Sequence, residues 1–145
     1  MARRTIFVFG SNKAGRHGKG HAKAALIHHG AIYGCAEGLQ GDSYGIPTKD
    51  AWIQPLPLHQ VVPGVRRFLE FARTHPDWDF EVSPIGCRLA GFTAEQIAPL
   101  FKEAPHNCYL HPDFVAVLKT LNFPVNDRPL PARKEHVKSV QQMLF

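Results

Sequence analysis

Residues 6–30 read IFVFGSNKAGRHGKGHAKAALIHHG, and the way this stretch divides decides the fold. A short apolar run breaks into Gly10, Gly15, Gly18 and Gly20, with Asn12, Lys13, Arg16, His17 and Lys19 between them. TIFVF at 5–9 is continuous in β-branched and aromatic residues and stops at a glycine, the pattern of a strand buried on both faces of a parallel sheet. From about His21 the sequence HAKAALIHHG is rich in helix formers and closes with Gly30 at a C′ position. A strand, a glycine loop and a helix in that order suit an anion. The first N–H groups of a helix are unpaired, they lie at the positive end of its dipole, and Gly18 and Gly20 let a phosphate approach them. Arg16, His17 and Lys19 add charge to the same loop.

The rest of the chain extends the alternation. SYGIPT at 43–48 is a strand near a sheet edge, because Pro47 cannot donate to a ladder, and the glycine-rich segment before it reads as short strands joined by tight turns. In 59–76, Val61, Val65, Phe68, Leu69 and Ala72 recur at helical spacing, with Pro63 near the start of the helix and Pro76 after its end. DFEVSPIG at 79–86 is a second central strand running into the loop CRLAGF. The helix TAEQIAPLF follows it, with Thr93 and Gln96 spaced as a capping box. NCYLH is a short strand and DFVAVLKTL a helix that stops before Pro124. Strands alternating with helices predict an α/β sandwich with helices on both faces. Ligands of such sheets bind at the carboxyl ends of the strands, where both glycine-rich loops gather.

A chain of 145 residues, 44% apolar and 20% charged, has the makeup of a globular domain with a core. Its net charge of +5 favours negatively charged partners, nucleic acid or small phosphorylated compounds. Three cysteines without metal-type spacing argue against a disulfide framework and for a reducing, cytoplasmic setting. The first hydrophobic run is too short for a signal segment or a membrane span, so no membrane partner is expected.

Two familiar phosphate motifs fail on the letters. GSNKAGRH has P-loop glycine spacing but Arg16 and His17 where Lys and Ser/Thr belong, and GKGHAK has Lys23 in place of the third dinucleotide-site glycine. No cofactor is expected. His17, His21, His28 and His29 lack an accompanying HExxH glutamate and read as solvent-facing, so no metal is expected either. Cys87 lies in the second loop, where a thiolate near a helix start could react, although a small packed residue is the plainer reading.

Taken together, VFGSN ending in Asn12, GKGHAKAA, YGIPTKD and SPIGCRLAGF resemble, in order, the motifs of macro domains, with the Ile-Gly-Cys-x-Leu and Thr-Lys segments similar to those of the ADP-ribosyl-glutamate hydrolase branch. The likeness runs from about Thr5 to His111. It implies a three-layer α/β/α sandwich around a mixed sheet, with 1–123 as the ligand-binding domain and 124–145 as a basic, proline-containing extension ending in a helix.

The resemblance further implies binding of ADP-ribose or a related nucleotide diphosphate-ribose. Gly10, Ser11 and Asn12 would lie near the distal ribose, Gly18, Lys19 and Gly20 together with Ile85, Gly86, Cys87, Arg88 and Leu89 would enclose the diphosphate, and Gly91 and Phe92 would border the ribose. Lys49 matches the lysine of that branch that forms an adduct with the opened ribose, which would make Lys49 and Asn12 the catalytic pair for hydrolysis of an ADP-ribosyl or ADP-ribose phosphate bond. Two departures stand out. Ala90 occupies the place of the branch's catalytic aspartate, with Asp50 and Asp42 the acidic residues nearest Lys49 along the chain, and no strand with an adenine-binding aspartate precedes the asparagine strand. A non-catalytic nucleotide-binding module and a basic nucleic-acid-binding protein, its basic tail at 128–138, are the other two readings.

Overall fold

The computed structural model describes residues 3–132. Five strands form one sheet in the order β2-β3-β1-β4-β5. β1 (Arg4–Asn12) is central and parallel to both β3 (Ser43–Lys49) and β4 (Trp78–Val82), and β4 is parallel to β5 (Cys108–Leu110). β2 (Gly38–Gln40) runs antiparallel to β3, so the sheet is mixed.

The continuous apolar character of β1 follows from its position. Ile6 and Val8 enter the larger core cluster on one face, and Phe7 and Phe9 enter the smaller cluster on the other. α1 (Gly20–His28) covers the smaller side, where Ala22 and Ala25 are small enough to lie against the two phenylalanines. The opposite face is covered by α2 (Leu58–Arg73), by α3 (Ala94–Ile97) continuing into a 3₁₀ turn at Ala98–Phe101, and by α4 (Pro112–Thr120). The result is the three-layer α/β/α sandwich that the alternation implied.

Val61, Val65, Phe68, Leu69 and Ala72 are all buried on the inner face of α2. Pro47 is accommodated because β2 pairs only with Ser43, Tyr44 and Gly45, leaving the end of β3 beyond its reach. The capping box forms as expected, with the Gln96 N–H donating to the Thr93 hydroxyl and the Thr93 N–H donating to the Gln96 side chain. The helix it starts is short, however, and tightens to 3₁₀ geometry at Ala98, beside Pro99.

Phe123 and Val125 pack against the core, and the Asn126 amide donates to the carbonyls of His106 (2.7 Å) and Cys108 (3.2 Å), capping the outer edge of β5. The Arg128 guanidinium lies 5.4 Å from the Tyr109 ring centre. The terminal helix and most of the basic tail expected from the sequence lie outside the described residues. Among the described residues no helix is long and apolar enough to cross a membrane.

Candidate functional site

The carboxyl ends of β1 and β3 open into a cleft of about 310 Å³, walled by the turn before α1 and the loop after β4. Its lining carries four permanent cations, Arg16, Lys19, Lys49 and Arg88, and among the described residues no carboxylate. A concave surface of one sign concentrates ligands of the other.

The α1 wall adds to this field. Lys19 is the N-cap and supplies no side-chain cap, and the first turn holds no acidic residue. The N–H groups of Gly20, His21 and Ala22 therefore lack an intrahelical acceptor at the positive end of the helix, and all three residues line the cleft. Gly20 enters the helix at φ +59°, in left-handed geometry that favours glycine.

The opposite wall is a loop closed on itself. The Cys87 N–H donates to the Pro84 carbonyl at 3.1 Å and the Phe92 N–H to the Gly86 carbonyl at 2.8 Å. Gly86 has φ +75°, and a Cβ there would stand 3.1 Å from the Phe92 ring. Gly10 in β1 allows a close approach, because a Cβ there would lie 3.3 Å from the Thr48 hydroxyl oxygen and reach the Gly86 nitrogen at 3.4 Å.

At the end of β1 the pairing with β3 shifts register, so that Ser11 lies opposite Pro47 and Asn12 opposite Lys49. The Lys13 N–H then donates to the Lys49 carbonyl at 2.9 Å, tying the start of the glycine turn to the lysine-bearing strand. Asn12 is buried, and its carboxamide bonds both backbone groups of Arg16, the oxygen accepting from the N–H at 2.9 Å and the nitrogen donating to the carbonyl at 2.8 Å.

Eleven residues singled out in the sequence share this cleft: Gly10, Ser11, Asn12, Gly18, Lys19, Gly20, Lys49, Ile85, Gly86, Arg88 and Leu89. Cys87, Gly91 and Phe92 are not in its lining. Phe92 packs against the core, with its ring on the side where a Gly86 side chain would stand. Cys87 packs there too, and burial pushes its thiol pKa up, with Asp113 adding to the rise, so it is no ready thiolate.

Neither nearby carboxylate supplies what Ala90 lacks. Asp50 caps its own turn, accepting from the Trp52 N–H (2.8 Å) and the Gln54 N–H (3.0 Å), and Asp42 pairs with Arg4 at the opposite end of β3. The Asp50 turn has a consequence that spacing could not show. It holds Ile53, a β-branched residue, at φ +65° in the cleft lining, a backbone arrangement that stores strain.

The expectation for His17 is corrected. It is buried, its Nε2 lies 3.1 Å from the Gln40 side-chain oxygen, and its ring meets Phe9 edge-on at 5.3 Å, so it supports the turn from below instead of adding charge to the cleft. Gln40 also accepts from the Ile32 N–H, which explains its burial in a short edge strand. No local sequence signal links residues 17 and 40, which meet only through the fold.

His21, by contrast, faces the cleft, and its pKa is lowered by burial first and then by Arg88 and His111, with Glu81 opposing. A histidine depressed in the folded state binds fewer protons than the unfolded chain just below the ordinary value of 6.5. Its contribution is thus present above that value and lost as pH falls through the folded pKa. Urea titrations across this range should show stability dropping with acidity, and His21→Gln should flatten that slope. An unchanged slope would assign the loss to other groups.

A second cavity of about 660 Å³ opens alongside and shares His21 and Pro84 with the first, with Phe7, Tyr109 and Leu110 in its walls.

The mixed sheet between helical layers, with its cationic cleft at the carboxyl ends of a central parallel pair, has the fold of solved macrodomains. The described fold is similar to the macrodomain of Mycobacterium tuberculosis DarG, with a TM-score of 0.58 and 18% identity over 77% of this chain and 90% of that one. It is also similar to Thermosipho africanus DarTG in complex with ADP-ribose, with a TM-score of 0.54 and 17% identity over 77% of this chain and 39% of that one. The matched region therefore covers well under half of that chain, and at these identities the likeness is one of fold. No family model and no curated protein sequence matches the chain.

Proposed function

We propose that this protein binds ADP-ribose or a closely related nucleotide diphosphate-ribose in the cationic cleft. The observation that carries the reading is the composition of the lining, four cations and a helix start without a side-chain cap and, among the described residues, no carboxylate. The fold adds support, since one protein of similar fold was captured with ADP-ribose. In this reading the turn at 18–20 and the loop at 85–89 hold the diphosphate through backbone N–H groups, with Lys19 and Arg88 beside them. Asn12 and Lys49 stand at the distal-ribose end. The second cavity, which shares His21 and Pro84 with the first, offers Phe7, Tyr109 and Leu110 as walls for the nucleoside.

Binding without turnover is the version favoured by the lining. Hydrolysis of an ADP-ribosyl bond calls for a group that moves a proton, usually a carboxylate or histidine within hydrogen-bond reach. Ala90 takes the position expected for the carboxylate, and among the described residues the lining holds no carboxylate in its place. A hydrolytic reading keeps two supports, the presence of Lys49 and of the His21 imidazole in the lining.

Calorimetric titration with ADP-ribose tests the main reading. Micromolar binding that weakens as salt rises is expected, and absence of binding to the wild type sinks it. Incubation with an ADP-ribosylated acidic peptide and with an ADP-ribose phosphate separates the two versions. No release is expected, and release that disappears in Lys49→Ala would establish the hydrolase instead.

A further inference from the structure

We infer that Asn12 is a positioning residue for Arg16, and that Arg16 is the group of this turn that contacts the anionic part of the ligand. The inference rests on the binding reading above and adds the division of labour within it.

The Asn12 carboxamide grips the N–H and the C=O of the same residue, at 2.9 Å and 2.8 Å. A side-chain amide offers one donor and one acceptor edge, so it can pair with both backbone groups of one residue as a neighbouring strand would. The turn is fixed at three more points: the Gly15 N–H donates to the Asn12 carbonyl, the Gly34 N–H to the Gly15 carbonyl, and the Lys13 N–H to the Lys49 carbonyl. The backbone of Arg16 is thus held relative to β1, β3 and the segment around Gly34.

Its side chain has the opposite character. Arg16 is exposed, lines the cleft, and makes no ion pair among the described residues. A guanidinium offers a planar fork of donors suited to phosphate oxygens, and fixing its backbone reduces the ordering entropy lost on binding. A buried asparagine whose amide is already engaged serves the ligand by aiming that fork.

The test is a double-mutant cycle read by calorimetry with ADP-ribose at several salt concentrations. Arg16→Gln and Asn12→Ala should each weaken binding by about tenfold and should each flatten the salt dependence. The double variant should be no weaker than Arg16→Gln alone. Arg16→Lys should restore the salt dependence, which a purely structural role would not require. Amide exchange in the free protein supplies an independent readout. The Arg16 N–H should be protected in the wild type and exchange rapidly in Asn12→Ala and, to a smaller extent, in Asn12→Ser, a milder change in case the alanine variant unfolds. Losses that multiply in the double variant, or an unchanged salt dependence in Asn12→Ala or Asn12→Ser, would show that Asn12 touches the ligand itself and overturn the inference. Failure of the wild type to bind ADP-ribose would instead remove the binding reading, and the inference with it.

Discussion

Gly20→Glu is expected to abolish ADP-ribose binding, with affinity falling on the order of a hundredfold or more, while Gly20→Ala retains most of it. Gly20 is the first residue of α1 and lines the cleft. A carboxylate there faces the two negative charges of a diphosphate. At a separation of about 5 Å and an effective dielectric near 20, each charge pair costs about 3 kcal/mol. It also cancels part of the helix-start field that favours an anion. Alanine carries the remaining effects without the charge. It meets the same φ of +59°, which costs about 1–2 kcal/mol of stability outside glycine. Its Cβ stands 3.3 Å from a terminal methyl of Leu89, a side chain exposed enough to swing aside. Calorimetry on both variants, with thermal melts to confirm folding, isolates the electrostatic part. Equal losses in the two would make the defect steric and withdraw the diphosphate from this wall.

Phe68→Ala should destabilise the fold by about 3–5 kcal/mol, a large part of the stability of a domain this size. Phe68 is fully buried at the middle of α2, and its ring meets Tyr44 of β3 at 5.1 Å, Phe80 of β4 at 5.5 Å and Phe101 of the 3₁₀ turn at 6.3 Å between centroids. One ring therefore joins two strands to two helical elements. Its removal leaves a cavity that none of those rigid neighbours can fill, together with the loss of favourable edge-on ring contacts. Urea unfolding followed by circular dichroism measures the loss. A change below about 1 kcal/mol would mean that the layer collapses around the missing ring, contrary to close packing.

Both residues were visible from spacing alone, and the reason is the same for each. Phe68 sits in a 3.6-residue apolar stripe and Gly20 in a glycine-rich break between a strand and a helix, so each is marked by its immediate neighbours in the chain. The capping box at Thr93 and Gln96 is local in the same way. The β2–β3 hairpin was legible only as turns and short strands, since three residues make too short a strand to carry a period. His17 misled because a histidine among the charged residues of a glycine loop reads as solvent-facing, whereas it is drawn inward by Gln40.

The carboxylates near Lys49 mark the limit most clearly. Chain proximity placed Asp50 and Asp42 beside it, yet Asp50 is consumed by its own turn and Asp42 lies at the other end of a seven-residue strand. The sequence by itself determined the order of elements, the inward faces of β1 and α2, and the two glycine loops at one end of a parallel sheet, because periodicity, helix caps and glycine positions act over a few residues. Only the tertiary structure decided that Arg16, Lys19, Lys49 and Arg88 share one cleft, lined by no carboxylate among the described residues, that Asn12 is spent on Arg16, and that His17 is buried. Those facts depend on contacts between segments distant along the chain and on the direction each side chain takes once the sheet is assembled.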